Sequence, residues 1–256
     1  MRIVVAYKWA ANPADATVTP DGVIDWSRAK AGLSEYDPVA IEVGRGLADA
    51  TGSELVGLTV GTPCAGSTLA RKAALSRGLD RLVVVTGEDI DLLDVSRTAA
   101  LLAAAVRRMG GVDLVVTGGS SVDVAANIVP ALLGGRLGWP VLNDVGQVRT
   151  DGAAVLVTRS LPTGEQELRC ATPAVLSVAT DAATARVPGM KDILAAGKRP
   201  VDDLGVESLD VAAAHPEVIG RSRPHLTARK GRRIDAADPD AAARQLVDAL
   251  RADGVL

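Results

Sequence analysis

The sequence predicts an α/β protein: a doubly wound, mostly parallel sheet with an antiparallel extension and a C-terminal arm. Three observations carry this. Val/Leu runs at residues 3–7, 54–60, 81–85 and 113–117 lack polar alternation, which fits strands buried on both faces. Helical periodicity fills the gaps between them, so strand and helix alternate through right-handed crossovers. Beyond Pro140 the apolar runs crowd together around a turn sequence, which fits antiparallel pairing.

Each element has readable ends. The first strand is Ile3-Val4-Val5-Ala6-Tyr7. Asp37-Pro38 then supplies an N-cap and a proline at the first helical position. Val39, Val43 and Leu47 recur every four residues, and Gly52 marks a C-terminal stop. A second helix covers residues 68–77 and ends at Gly78. A third covers residues 94–108, with Arg107 and Arg108 near its negative end. A further helix is predicted from Asp123. Residues 155–158, 167–170 and 174–178 read as an antiparallel group, with 161–164 as a hairpin turn. From Lys198 periodicity is lost until a final amphipathic helix at residues 239–251, with Ala242, Leu246 and Leu250 on one face. The domain boundary is therefore expected between residues 197 and 198.

Composition narrows the function. The 256 residues are 48% hydrophobic and 23% charged, with net charge −3. Phe is absent, and Tyr7, Trp9, Trp26, Tyr36 and Trp139 are the whole aromatic set. Aromatic stacking platforms for nucleic acid are thus excluded, and the acidic balance argues against a phosphate-backbone footprint. No aromatic follows Trp139, so the later elements must pack through Ala, Val and Leu. Cys64 and Cys170 form no CxxC or Cys/His cluster, and His215 and His225 lie late in the chain. Two distant thiols and no long apolar run predict a cytoplasmic protein without a membrane span, metal or disulfide framework.

Two strand-end turns have ligand-binding character. Residues 117–123 follow the fourth strand and carry Gly118, Gly119, Ser120 and Ser121. Glycine admits close backbone approach, and a helix starting at Asp123 would aim free N–H groups at a phosphate. Residues 61–68 make a similar Gly/Ser/Thr turn after the second strand. Doubly wound sheets bind ligands at the carboxyl ends of strands, so the two turns together predict a nucleotide cleft. Neither GxGxxG nor GxxxxGK[ST] is present. Asp202 and Asp203 read as solvated neighbours rather than an acid–base pair, and the basic run 229–233 as solvated surface.

These residues, taken in order, resemble the beta subunit of electron transfer flavoproteins over roughly residues 1–200. Val5-Ala6-Tyr7-Lys8 is similar to the family's opening V-x-V-K. Residues 34–40 stand where the family has N-P-[FY]-[DC]-E-I-A, and Val60-Gly61-Thr62-Pro63 resembles its G-P turn. Residues 73–81 resemble A-L-A-M-G-A-D-R, and Pro173-Ala174-Val175 resembles L-P-A-V. The longest match joins Asp113-Leu114-Val115, Gly118, Asp123 and Leu137-Gly138-Trp139-Pro140.

The resemblance implies an adenine-nucleotide hydrolase-like fold and a heterodimer with a larger, FAD-bearing alpha subunit. It implies electron transfer from a dehydrogenase to a quinone-linked or similar acceptor, with no catalytic residue in this chain. AMP, or in some members a second FAD, would bind at Ala6, Gly61, Ala65, Thr68, Gly118, Ser120, Asp123 and Asn127. Tyr36 would approach the alpha-bound FAD. Met190 would be the apolar anchor for a partner dehydrogenase; residues 198–256, beyond the resemblance, read as an arm that either embraces a partner chain or folds back on its own domain. Here the family's polar helix start is replaced by Val124, Ala125, Ala126 and Ile128, which favours AMP over a second FAD. The alternative reading is a free-standing, stress-protein-like nucleotide-binding domain or an ATP-hydrolysing enzyme of the same fold.

Overall fold

A computed structural model of the chain describes every residue except 20, 91–93, 152–153, 212–218, 220–224 and 226. Two compact units are present, Met1–Ile219 and Gly220–Leu256.

In the first unit, β1 (Arg2–Ala6) is buried almost throughout, as its unbroken apolar run requires. Two small antiparallel ribbons that the sequence reading did not anticipate follow it. They pair β2 (Trp9–Ala11) with β5 (Ala31–Leu33) and β3 (Thr17–Val18) with β4 (Ile24–Asp25). Next come α1 (Asp37–Thr51), β6 (Glu54–Gly61), α2 (Thr68–Leu75), β7 (Arg81–Thr86), α3 (Val95–Met109) and β8 (Leu114–Gly118). The chain continues through α4 (Val129–Leu137), β9 (Val141–Thr150), β10 (Ala154–Leu161), β11 (Gly164–Ala171) and β12 (Ala174–Val178). After these come α5 (Met190–Ala196) and β13 (Val201–Gly205).

The strands form one nine-stranded sheet in the order β11-β10-β9-β12-β8-β1-β6-β7-β13. From β9 to β13 the neighbours run parallel; β9, β10 and β11 form the antiparallel wing. Strand alternation divides the core between the two faces. Ile3 and Val5 pack with Ile41, Val43 and Leu47 of α1, whereas Val4 packs with Leu101, Leu102 and Val106 of α3. This is the doubly wound α/β architecture that the Val/Leu runs predict.

Several expectations need correction. Residues 174–178 are not part of the antiparallel group. β12 is a fully buried parallel strand inserted between β8 and β9, and its lack of alternation is what a central position demands. The predicted helix at Asp123 does not form. Ala125 and Asn127 have φ of 51° and 53°, which no right-handed helix accommodates, and α4 starts only at Val129, ahead of Pro130. Asp37 does not cap α1, whose N-cap position is Tyr36 without a side-chain bond. Residues 201–205 are not an irregular arm but an edge strand on β7, so the first unit extends past the expected boundary at 197. Arg71 and Arg81 form ion pairs with Asp203 and Asp202, respectively.

The second unit contains α6 (Pro239–Ala252), close to the predicted 239–251. Asp238 Oδ1 caps it, accepting from the N–H groups of Asp240 and Ala241 at 3.0 and 3.3 Å. In the basic run, Lys230 and Arg232 both meet Asp253, at 2.6 and 3.6 Å. His215 lies outside the described residues.

Candidate nucleotide cleft at the strand ends

The carboxyl ends of β1, β6 and β8 open onto a cleft whose far side is formed by α3 and the start of α4. Its lining includes Ala6, Lys8, Val60, Leu102, Gly118, Gly119, Ser120, Ser121, Asn127 and Val129. One wall is therefore apolar and the rim is built from glycine, serine and amide groups. That division suits a flat heterocycle attached to a polar, charged tail.

Gly118 is required by close approach. A Cβ there would lie 2.8 Å from Asp37 Oδ1, 2.8 Å from Tyr36 Cβ and 2.9 Å from the Tyr36 carbonyl oxygen. The start of α1 thus presses directly on the end of β8. Tyr36 itself is half-buried at that junction, beside Gly118.

Asp37 is the buried centre of this junction. The Lys8 backbone N–H donates to its Oδ2 at 2.7 Å, so the carboxyl ties the end of β1 to the start of α1. Burial pushes the Asp37 carboxyl up to about 8; the Lys8 and Gly118 N–H groups and the Lys8 charge oppose that rise, and Asp123 adds to it. The adjacent Tyr7 hydroxyl is buried without a hydrogen-bond partner among the described residues. Burial first and the Asp37 charge second push its pKa up.

Asp123 stands at the rim with the opposite balance. Burial raises its carboxyl, but the Lys8 ammonium, Ser121 and the Val124 N–H together hold it below the usual carboxylate range. Lys8 Nζ lies 2.9 Å from Oδ1 and 2.8 Å from Oδ2, and the Val124 N–H donates to Oδ1 at 2.8 Å.

The structure brings together only part of the residue set expected from sequence. Ala6, Gly118, Ser120 and Asn127 line the cleft, and Asp123 is joined to it through Lys8. Gly61, Ala65 and Thr68 lie on the neighbouring turn and are not among the lining residues. Met190 is far along the chain, at the start of α5, 73% exposed beside exposed Val187 and Leu194. Sequence reasoning missed Lys8, Asp37 and the α3 wall of Val95, Thr98 and Leu102. The position of Lys8 at a strand end was a usable signal; the inward turn of Asp37 was hidden by its resemblance to a helix cap. Among the described residues no group of acidic, His or Cys side chains could hold a metal, and no helix is long and apolar enough to cross a membrane.

A family model described as the electron transfer flavoprotein domain matches residues 21–209. That span contains β6 to β13 and the β8 rim of the cleft. The family's members are electron carriers rather than catalytic enzymes, and the chain belongs to the electron transfer flavoprotein family.

Proposed function

We propose that this chain is the beta subunit of an electron transfer flavoprotein, working in the cytoplasm beside an FAD-bearing alpha subunit. It carries electrons from a dehydrogenase to a quinone-linked or similar acceptor and holds AMP as a structural nucleotide. The observation that supports this most is the cleft itself. Val60, Leu102 and Val129 offer an apolar wall for a base, while the Gly118–Ser121 rim offers close backbone approach and hydroxyl donors for a phosphate. Residues 124–126 add no anionic or hydroxyl group there, which supports a small nucleotide over a second flavin.

FAD, when bound by the alpha chain, supplies the one- and two-electron chemistry. This chain's own residues give shape and contact. Tyr36 is the half-buried aromatic at the mouth of the β1–β8 junction and is the residue assigned to face the flavin. Gly61, Ala65 and Thr68 brace the cleft from the adjoining turn, which closes on itself and does not touch the nucleotide. Met190, with Val187 and Leu194, presents an apolar surface to the dehydrogenase, and the chain beyond the edge strand β13 wraps the alpha chain.

Purification of the chain with its co-expressed neighbour, followed by denaturation and mass spectrometry of the released small molecules, tests this reading. AMP equimolar with this chain and FAD equimolar with a second chain are expected. ATP turnover by the isolated chain, or purification without a flavin-bearing partner, would overturn it in favour of a nucleotide-hydrolysing or free-standing domain. Tyr36→Ala is expected to shift the flavin absorbance while leaving the circular dichroism spectrum unchanged.

A further inference from the structure

Among the described residues lining the cleft, Lys8 is the single cation. Its backbone is fixed from both sides: its N–H donates to Asp37 Oδ2 at 2.7 Å, and its carbonyl accepts from the Ser34 N–H at 2.9 Å. The ammonium group is also placed, with Asp123 Oδ1 and Oδ2 at 2.9 and 2.8 Å, and the Lys8 side chain remains 24% exposed. An ammonium has three N–H donors, so two bonds to one carboxylate leave a donor for a ligand.

Asp123, by contrast, is poorly suited to touch a phosphate. Its side chain is 9% exposed, negatively charged, and already accepts from Lys8 and the Val124 N–H. A phosphate set against it would meet like-charge repulsion. We infer that Lys8 is the phosphate-contacting residue of the cleft and that Asp123 is a positioning residue that aims the Lys8 ammonium at the Gly118–Ser121 rim. The ligand so selected is a phosphate monoester whose apolar end occupies the Val60–Leu102 wall. This rests on the nucleotide reading of the cleft and adds to it the group that recognises charge.

The test compares AMP with adenosine, by calorimetric titration of the nucleotide-stripped full chain. Lys8→Gln is expected to weaken AMP binding on the order of tenfold or more, the effect of losing a charge-assisted hydrogen bond, while adenosine binding changes less than about twofold. Lys8→Arg, which keeps the charge, is expected to retain AMP affinity within about threefold. Asp123→Asn is expected to fall between the wild type and Lys8→Gln for AMP and to leave adenosine unaffected. AMP binding by Lys8→Gln at wild-type strength overturns the inference while leaving the nucleotide reading intact. Equal losses in Lys8→Gln and Lys8→Arg assign the effect to packing and also overturn it. A wild-type chain that binds neither AMP nor adenosine removes the nucleotide reading itself, and this inference with it.

Discussion

After β6 and after β8 the chain turns through the same kinds of residue, Gly, Ser and Thr, but to different ends. In the β6 turn the polar groups are used locally. The Ala65 N–H donates to the Thr62 carbonyl at 2.9 Å, and the Ser67 hydroxyl accepts from the Ala70 N–H at 3.2 Å to cap α2. Gly61 is packed against Ala65, whose methyl would sit 2.9 Å from an added Cβ. In the β8 turn, Gly118 rests on a buried carboxyl, and the serines beyond it face a cleft. Composition identifies a tight turn in both cases. What lies beneath the turn decides whether it closes on itself or opens toward a ligand.

The largest expected effect comes from the acid beneath the β8 turn. Asp37 has an ordinary carboxyl pKa of 3.8 when unfolded and about 8 when folded, so the native state holds the proton more tightly. The stability this contributes is complete below the unfolded value and is lost as pH rises toward 8. In full it amounts to about 6 kcal/mol. The groups facing Asp37 are Lys8, Asp123 and Tyr7. The Asp123 carboxyl is held low, and its own titration falls at the acid end, outside this window. Urea denaturation from pH 5 to 8.5 should therefore show stability falling for the wild type and a much flatter profile for Asp37→Asn. Parallel profiles for the two proteins would sink the claim.

Next in size is the pair of glycines. Gly118→Ala forces a methyl into a carboxyl oxygen, a carbonyl oxygen and a Cβ at the start of α1, none of which is the free end of a flexible side chain. Overpacking of that kind costs about 1–3 kcal/mol, and here it also displaces the rim of the cleft. Gly61→Ala meets a single atom, the buried Ala65 methyl at 2.9 Å, and should cost about 1 kcal/mol, at the low end of that range. Thermal denaturation with and without AMP distinguishes the two. Gly118→Ala should lose the ligand-induced shift and Gly61→Ala should keep it.

The same contrast explains how much of the protein can be read from its residues. Strands β1, β6, β7 and β8 are legible because burial on both faces demands uninterrupted Val and Leu. Helices α1, α2 and α3 are legible because one face must be apolar every third or fourth residue. β12 was misplaced because a short apolar run fixes burial but not direction or neighbour, which depend on where distant β8 and β9 lie. The helix expected at Asp123 does not form because Ala125 and Asn127 take left-handed φ, and α4 begins only at Val129. At the site, glycine and serine could be found by type. Lys8 offers only its place at a strand end, and Asp37 offers no signal, since its role arises from a tertiary bond between residues 29 positions apart.

The smallest effect separates the turns most cleanly. Ser67 is the N-cap of α2, and its hydroxyl satisfies one of the N–H groups that a helix start leaves open. Ser67→Ala removes that acceptor without changing the backbone, so the Ala70 N–H must find another partner. The cost is about 1 kcal/mol, the usual worth of a serine cap. Because the β6 turn uses its polar groups on itself, AMP affinity should be unchanged within error in a calorimetric titration. A tenfold loss of AMP affinity in Ser67→Ala would mean that the β6 turn contacts the nucleotide through this hydroxyl. The two strand-end turns would then form one binding surface, and the division drawn between them would fall.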